Sequence, residues 1–341
     1  MAVPALIAAL ALLFVPWGSQ PFSLPKLLLL ATGALGLALH ALRKPGTAPP
    51  AARFLGLSWL ALLALSAPRG TPQAVLLDGS AALLFLALLH QKIDPEKLGQ
   101  AVGITGGIIA AVVLVQFVHF LEKPPLRLRM FGTLGNPDFC AAWLTAALFL
   151  TRRKWLQALQ LAALAALGSY ATLLALGAGL LLLRPKRPRL AAAALALVFA
   201  GASGRNLATR ITGRLELHSQ AAEQLLEHPL LGAGPGSHPA HVHDDFLERA
   251  LDQGWPAAAV MLALCALALR KARDRAAAAA LASLCARAFV DFPLSRPAEL
   301  SLFVTLLALC FQQEPTECPA SPSPPPSSSL APPLLPATRP G

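Results

Sequence analysis

Long apolar runs recur from end to end of this chain, divided by short connectors rich in Lys, Arg, Pro and Gly, and that alternation leaves few folds open. A helix needs about 20 apolar residues to cross a hydrocarbon core, or fewer when neighbouring helices bury it. Runs of this kind predict spans near 2–16, 24–42, 52–67, 73–90, 98–120, 138–151, 155–168, 171–183, 190–203, 246–269, 276–290 and 298–312. Composition agrees. Of 341 residues, 55% are hydrophobic and only 13% charged, with a mean hydropathy of +0.59, whereas soluble domains carry about 25% charged residues. The expected class is an all-α polytopic membrane protein of about 12 transmembrane helices, with one long outer loop between spans 9 and 10.

The net charge of +11 sits in clusters between the apolar runs. Such clusters fit topology and attraction to membrane lipids, and no aromatic-basic module points to nucleic acid. Dense runs such as Thr-Arg-Arg-Lys-Trp at 151–155 and Arg-Pro-Lys-Arg-Pro-Arg at 184–189 fall on one side if the N-terminus is inside, as the positive-inside rule asks. Both termini are then cytoplasmic. The N-terminus lacks a basic region before its first apolar run, so it reads as a first span and not as a cleaved leader. Residues 1–313 form the transmembrane domain, and 314–341, rich in Pro and Ser, form a disordered cytoplasmic tail. Cys140, Cys265, Cys285 and Cys310 fall inside spans and Cys318 in the tail, which argues against disulfides and thiolate zinc.

The same orientation puts two Arg-bearing segments outside, residues 122–137 and the polar interval 204–254. Cations that oppose the topology rule call for another role, and an anionic substrate supplies one. In the polar interval, Arg205, Arg210 and Arg214 lead to a turn cluster at Gly232, Gly234, Pro235 and Gly236, then to His238, His241, His243, Asp244 and Asp245. Arg210 and Arg214 share a helix face at i, i+4, where two guanidinium forks grip successive phosphates or, alternatively, lipid headgroups. The glycines bring backbone N–H groups to an anion, or simply make a sharp turn. Asp245 with Glu248 reads as a helix cap, with Asp244 another first-turn carboxylate. His243 stands just before that cap, where an imidazole accepts a proton from a hydroxyl nucleophile. A metal held by His238, His241, His243 and the two aspartates would fit no specific zinc spacing. Arg127 and Arg129 precede Asn136-Pro137, a helix-start signal with Asp138 in the first turn. Late in the chain Arg287 and Asp291, at i, i+4, form an ion pair at a span mouth.

Four segments in this order, FGTLGNPDFCAAWL at 131–144, GRLELHSQAAEQLLEHPLLGAGPGSH at 213–238, HDDFLERALDQGWPAAAVML at 243–262 and VDFPLSRP at 290–297, resemble the O-antigen ligase and polymerase superfamily. The resemblance covers 125–312. It implies a GT-C-like, lipid-sugar-dependent glycosyltransferase of the bacterial inner membrane, with its active loop at 204–244 on the periplasmic side. Its donor would be a polyprenyl diphosphate-linked glycan, and its acceptor a lipid A core, a protein or a growing glycan, as in lipopolysaccharide and other cell-surface polysaccharide biosynthesis. No metal or cofactor is implied. His243 maps onto the family's base or acceptor-orienting histidine, and Arg214 and Arg210 onto its diphosphate-engaging arginines. Arg127, Arg129, Asn136, Gly234, Gly236 and Asp244 are the accompanying substrate-binding candidates. The chain has Asp244 where the family often has Asn, His218 where Trp is usual, and Ser169-Tyr170 where Ser-Arg is common. A non-catalytic lipid-glycan transporter or binding protein on the same scaffold is the alternative, with a metal-dependent membrane hydrolase a third reading.

Overall fold

A computed structural model describes residues 2–14, 20, 22–43, 49–122, 130–183, 188–202, 207–237 and 241–312. Among these the regular structure is helical: α1 (Ala2–Leu12), α2 (Leu24–Ala41), α3 (Pro50–Ser66), α4 (Pro72–Leu88), α5 (Pro95–His119), α6 (Pro137–Leu150), α7 (Lys154–Leu167), α8 (Tyr170–Leu183), α9 (Pro188–Ala202), α10 (Leu207–Glu227), α11 (Asp245–Gln253), α12 (Trp255–Lys271), α13 (Arg275–Ala288) and α14 (Pro297–Phe311). Short 3₁₀ turns at Ala67–Arg69 and Pro293–Ser295 lead into α4 and α14.

The helix starts are written locally. Proline opens α3, α4, α5, α6 and α14, where its missing N–H is no loss. Thr71, Asp94, Asn136 and Asp274 each accept a first-turn N–H from their side chains. At the centre stands α14, every residue of which is buried. It packs against α1, α2, α4, α12 and α13. The outer helices point large apolar side chains away from this core, among them Leu28 and Leu35 on α2, Phe54 and Leu57 on α3, and Val115 and Val118 on α5. An outward apolar surface of this extent is what a bilayer covers. Three helical stretches, Leu24–Ala41, Pro50–Arg69 and Pro95–His119, are long and apolar enough to cross a membrane.

The connectors alternate between two ends of the bundle. At one end Thr71 N donates to Pro235 O at 2.7 Å, Lys26 Nζ to Thr133 O at 2.8 Å, and Leu294 N to Asp245 Oδ2 at 2.8 Å. At the other end Gln91 Nε2 donates to Leu37 O at 3.1 Å, Ile93 N to Gln312 Oε1 at 2.8 Å, and Arg152 pairs with Glu96.

One expectation needs correction. The single span over 246–269 is two helices, α11 and α12, because Gly254 adopts φ +84 and breaks the ladder between them. A Cβ there would lie 2.2 Å from Leu230 O, and Trp255 N donates to Pro229 O across the same crossing. In the long connection after α9, α10 carries Arg210 and Arg214 four residues apart on one helix, as their spacing predicts. Gly254→Ala is therefore expected to lower the melting temperature through both a backbone clash and a left-handed φ, at a cost of about 1–3 kcal/mol or more. Thermal unfolding of the purified variant measures it. The segment 314–341 lies outside the described residues.

Candidate functional site

The segment before α11 is pinned from three directions. His218 on α10 places Nε2 3.0 Å from Val242 O, Val242 N donates to Glu248 Oε1 at 3.0 Å, and His241 Nδ1 lies 3.1 Å from the same oxygen. Asp244, not Asp245, caps α11, accepting from Phe246 N and Leu247 N at 2.9 and 3.0 Å. Asp245 is instead buried and accepts from Leu294 N. Either aspartate suits a cap by its chemistry. The backbone turn at His243 decides between them. Capping engages Asp244 Oδ1. Burial raises the Asp244 carboxyl above its ordinary value, against the pull of the two cap hydrogen bonds.

His243 adopts φ +59, the one positive φ outside glycine among the described residues. Left-handed backbone in a residue with a Cβ is held only where its surroundings fix it. The turn directs Nδ1 inward, to 3.5 Å from Asp291 Oδ1. That separation is electrostatic contact and too long for a strong hydrogen bond; Nδ1 itself is buried with no hydrogen-bond partner among the described residues. The side chain keeps 35% of its surface exposed, so Nε2 is the nitrogen left for a ligand.

Behind His243 lies a buried ionic chain that ties four elements together. Asp291 Oδ2 accepts from Arg287 Nη2 at 3.0 Å, as the i, i+4 spacing predicts. Arg287, 0% exposed, also donates to Thr172 Oγ1 at 3.0 Å and to Asp138 Oδ1 at 3.3 Å, and Ser169 Oγ donates to Asp138 Oδ1 at 3.0 Å. The guanidinium thus sits beside Ser169, where the family resemblance looks for an arginine on α8.

Asp291 lies in the connector after α13. Burial would raise its carboxyl, but the His243 ring and the Arg287 guanidinium outweigh that and lower it to about 2. A depressed carboxyl stabilises the fold above its unfolded value of about 3.9, and that contribution disappears as pH falls toward the folded value. The wild type is expected to lose stability between about pH 4 and pH 2, and Asp291→Asn to flatten that slope. Melting temperature against pH for the two proteins checks it.

Phe292 divides the site. His241 stacks flat on its ring at 4.2 Å, His243 meets it edge-on at 4.9 Å, and Phe139 packs against it at 5.5 Å. Nearby are two adjoining cavities of about 350 and 470 Å³ that share Ser23, Gln73, Arg296 and Pro297. The first is lined by His241, Glu248, Asp252 and the Asp78–Arg249 ion pair. The second is lined by Lys26, Asn136, Phe139 and Glu299.

Other sequence candidates fall as follows. Arg214 is partly buried on α10, one helical turn before His218, with no ion-pair partner among the described residues. Arg210 lies on the same helix, its side chain outside the described residues, as are Arg127, Arg129 and His238. Asn136 Oδ1 accepts from Asp138 N at 2.7 Å, so it caps α6 while lining the second cavity. The reading of Gly234 and Gly236 as an anion cradle is corrected. Gly234 N donates to Asp252 O at 3.0 Å and Gly236 N to Asp252 Oδ1 at 2.9 Å, so neither N–H is free for a ligand. Gly234, at φ +110, instead lets the turn press against Arg69, whose backbone would lie 2.4 Å from a Cβ. No group of three or more His, Cys, Asp or Glu converges as a metal site among the described residues.

Reading the polar interval alone missed Lys26, Asp78, Arg296 and Glu299, and within it left Arg249 without a role. Three of these, Lys26, Asp78 and Glu299, are charges inside apolar helices, and their cost in such a place was the signal available. Scanned against protein-family models the chain matches none, and a search of curated proteins also returns no match.

Proposed function

We propose that this chain is a multi-pass protein of the bacterial inner membrane, with about 12 crossings, that transfers an oligo- or polysaccharide from a polyprenyl diphosphate to an acceptor hydroxyl. This is the O-antigen ligase and polymerase type of reaction, serving cell-surface polysaccharide biosynthesis at the outer, periplasmic face. Alternation of the connectors between two ends supports the topology. The observation that carries the function is His243, held in left-handed backbone with Nδ1 facing Asp291 and 35% of its side chain exposed.

An Nδ1–H directed at a carboxylate leaves the Nε2 lone pair as the base, and such contacts tighten when substrate binds. Nε2 takes the acceptor hydroxyl proton as the oxygen bonds to the anomeric carbon. The bond from that carbon to the diphosphate breaks, and its electron pair leaves on the phosphate oxygen. Arg214 and Arg210 offset the charge that develops there, with Arg127 and Arg129 as further contacts in the proposal. The imidazolium proton then passes to the departing diphosphate or to water. No nucleotide enters the balance.

Transfer from a purified polyprenyl diphosphate oligosaccharide by the protein in nanodiscs, with EDTA present, tests the proposal. Glycan appearing on a lipid A core, peptide or glycan acceptor supports it, and Arg214→Ala is expected to slow that transfer by about 10²-fold. Tyr170, where the resemblance looks for an arginine, favours a second reading, in which the protein binds the lipid-linked glycan without turning it over. Saturable binding with no transfer to any of the three acceptor classes would establish that reading and overturn the first.

A further inference from the structure

A third cavity, of about 890 Å³, lies at the end of the bundle opposite His243, between α1, α2 and the connector from α4 to α5. Two glycines of α2 account for the space. A Cβ on Gly33 would come within 2.8 Å of Leu6 Cδ1, so α1 and α2 touch there. Three residues on, a Cβ on Gly36 would meet nothing within 4 Å, and the gap between the helices stays unfilled toward Ala2 and His40. The walls are aliphatic, with Val3, Leu6, Leu37 and Ile93 among them. His40, Lys92 and Lys97 also line the cavity, and all three are exposed. Asp94 is the one acid in the lining. Its Oδ1 accepts from Glu96 N and Lys97 N at 3.0 and 3.1 Å, and its Oδ2 lies 3.2 Å from Lys97 Nζ, so its carboxylate is held at the start of α5. Two lysines against one aspartate leave the edge of the cavity cationic.

We infer that this cavity binds one anionic phospholipid, with acyl hydrocarbon in the aliphatic cleft and the phosphate at His40, Lys92 and Lys97. The two halves of the cavity select the ligand together. A free phosphate would meet the lysines and leave the aliphatic walls in water. A nucleotide would find no aromatic ring beyond His40 on which to stack its base. A phospholipid with an ethanolamine headgroup would bring an ammonium against the two lysines, whereas an acidic headgroup adds no opposing charge. Hydrocarbon can lie against the α2 backbone at Gly36, because no side chain stands in its way. The proposed orientation puts this end on the cytoplasmic side, where lysines beside a span attract acidic lipid. The inference rests on the membrane-spanning reading above and on no step of glycan transfer.

Native mass spectrometry of the full chain, purified in detergent and stripped of lipid, tests the site by titration with phosphatidylglycerol and phosphatidylethanolamine of identical acyl chains. One saturable phosphatidylglycerol adduct is expected, about tenfold tighter than any phosphatidylethanolamine adduct. Lys92→Gln combined with Lys97→Gln is expected to erase that preference. Gly36→Trp, which fills the cleft with both lysines in place, is expected to remove the adduct itself. Should the double variant fail to fold, Gly36→Trp carries the test, since its Cβ enters open space. Equal affinity for the two lipids, or an unchanged adduct in Gly36→Trp, would overturn the inference, as would displacement of the lipid by millimolar inorganic phosphate. Alkaline carbonate extraction reads the membrane claim separately. A chain that stays in the membrane pellet yet shows no preference for phosphatidylglycerol overturns the inference alone, and release of the chain removes the membrane-spanning reading and the inference with it.

Discussion

Replacing Arg287 with alanine is expected to leave little or no folded protein. The guanidinium is the shared cation of the half-buried Asp138 and the buried Asp291, and it also holds Thr172, so its removal strands the Asp291 carboxylate in the interior and takes a cation from Asp138. Breaking a buried pair by deleting one partner costs about 3–5 kcal/mol, because the remaining charge has lost both water and its counter-ion. That is comparable to a large share of a domain's net stability. Arg287→Lys keeps the charge but cannot span Thr172, Asp138 and Asp291 with one planar fork, and an intermediate loss is expected. Fluorescence-detected size-exclusion of detergent extracts, read with a melting curve, separates the three proteins. A monodisperse Arg287→Ala with unchanged melting would refute the view that this network holds α6, α8 and α13 together.

The second large effect falls on turnover and spares the fold. His243→Ala is expected to reduce glycan transfer by about 10²- to 10⁴-fold, the usual contribution of a positioned acid–base group. Alanine at φ +59 would carry a backbone penalty of about 1–2 kcal/mol, as the histidine already does. His243→Gly removes the imidazole and relieves that penalty together. The two variants should therefore show the same loss of transfer, with the glycine protein melting higher than the alanine protein. Equal transfer by wild type and both variants would exclude His243 as the base.

Much of the helical pattern was legible because it is local. Proline at the first position, a capping Thr, Asp or Asn, and an unbroken apolar run each act within one or two turns, so the starts of α4, α5, α6 and α14 follow from a few residues each. The Arg287–Asp291 pair was legible for the same reason. What the sequence hid is set by distance along the chain. Nothing near Asp78 names Arg249 as its partner, and nothing near Arg296 shows that Phe139 lies beneath it. Gly254 lay inside a stretch read as one span, and its positive φ together with the backbone of Leu230 pressing on it explains why it must be glycine. At the site, His243 could be chosen for its chemistry. Its left-handed backbone and the Asp291 behind it belong to tertiary structure.

The pairing of Asp78 with Arg249 also has a consequence for the order in which the protein is made. The two residues are 171 positions apart, and synthesis at about 5–20 residues per second separates their appearance by about 10–30 s. On the membrane-spanning reading, α4 must be inserted during that interval with a carboxyl group in its apolar body and no counter-ion to meet it. Such a helix is held in place by its flanking α2 and α3, which are already present, until the ribosome delivers α11. The Asp78 carboxyl then gains its counter-ion only when Arg249 arrives, closing a gap left open since the fourth helix.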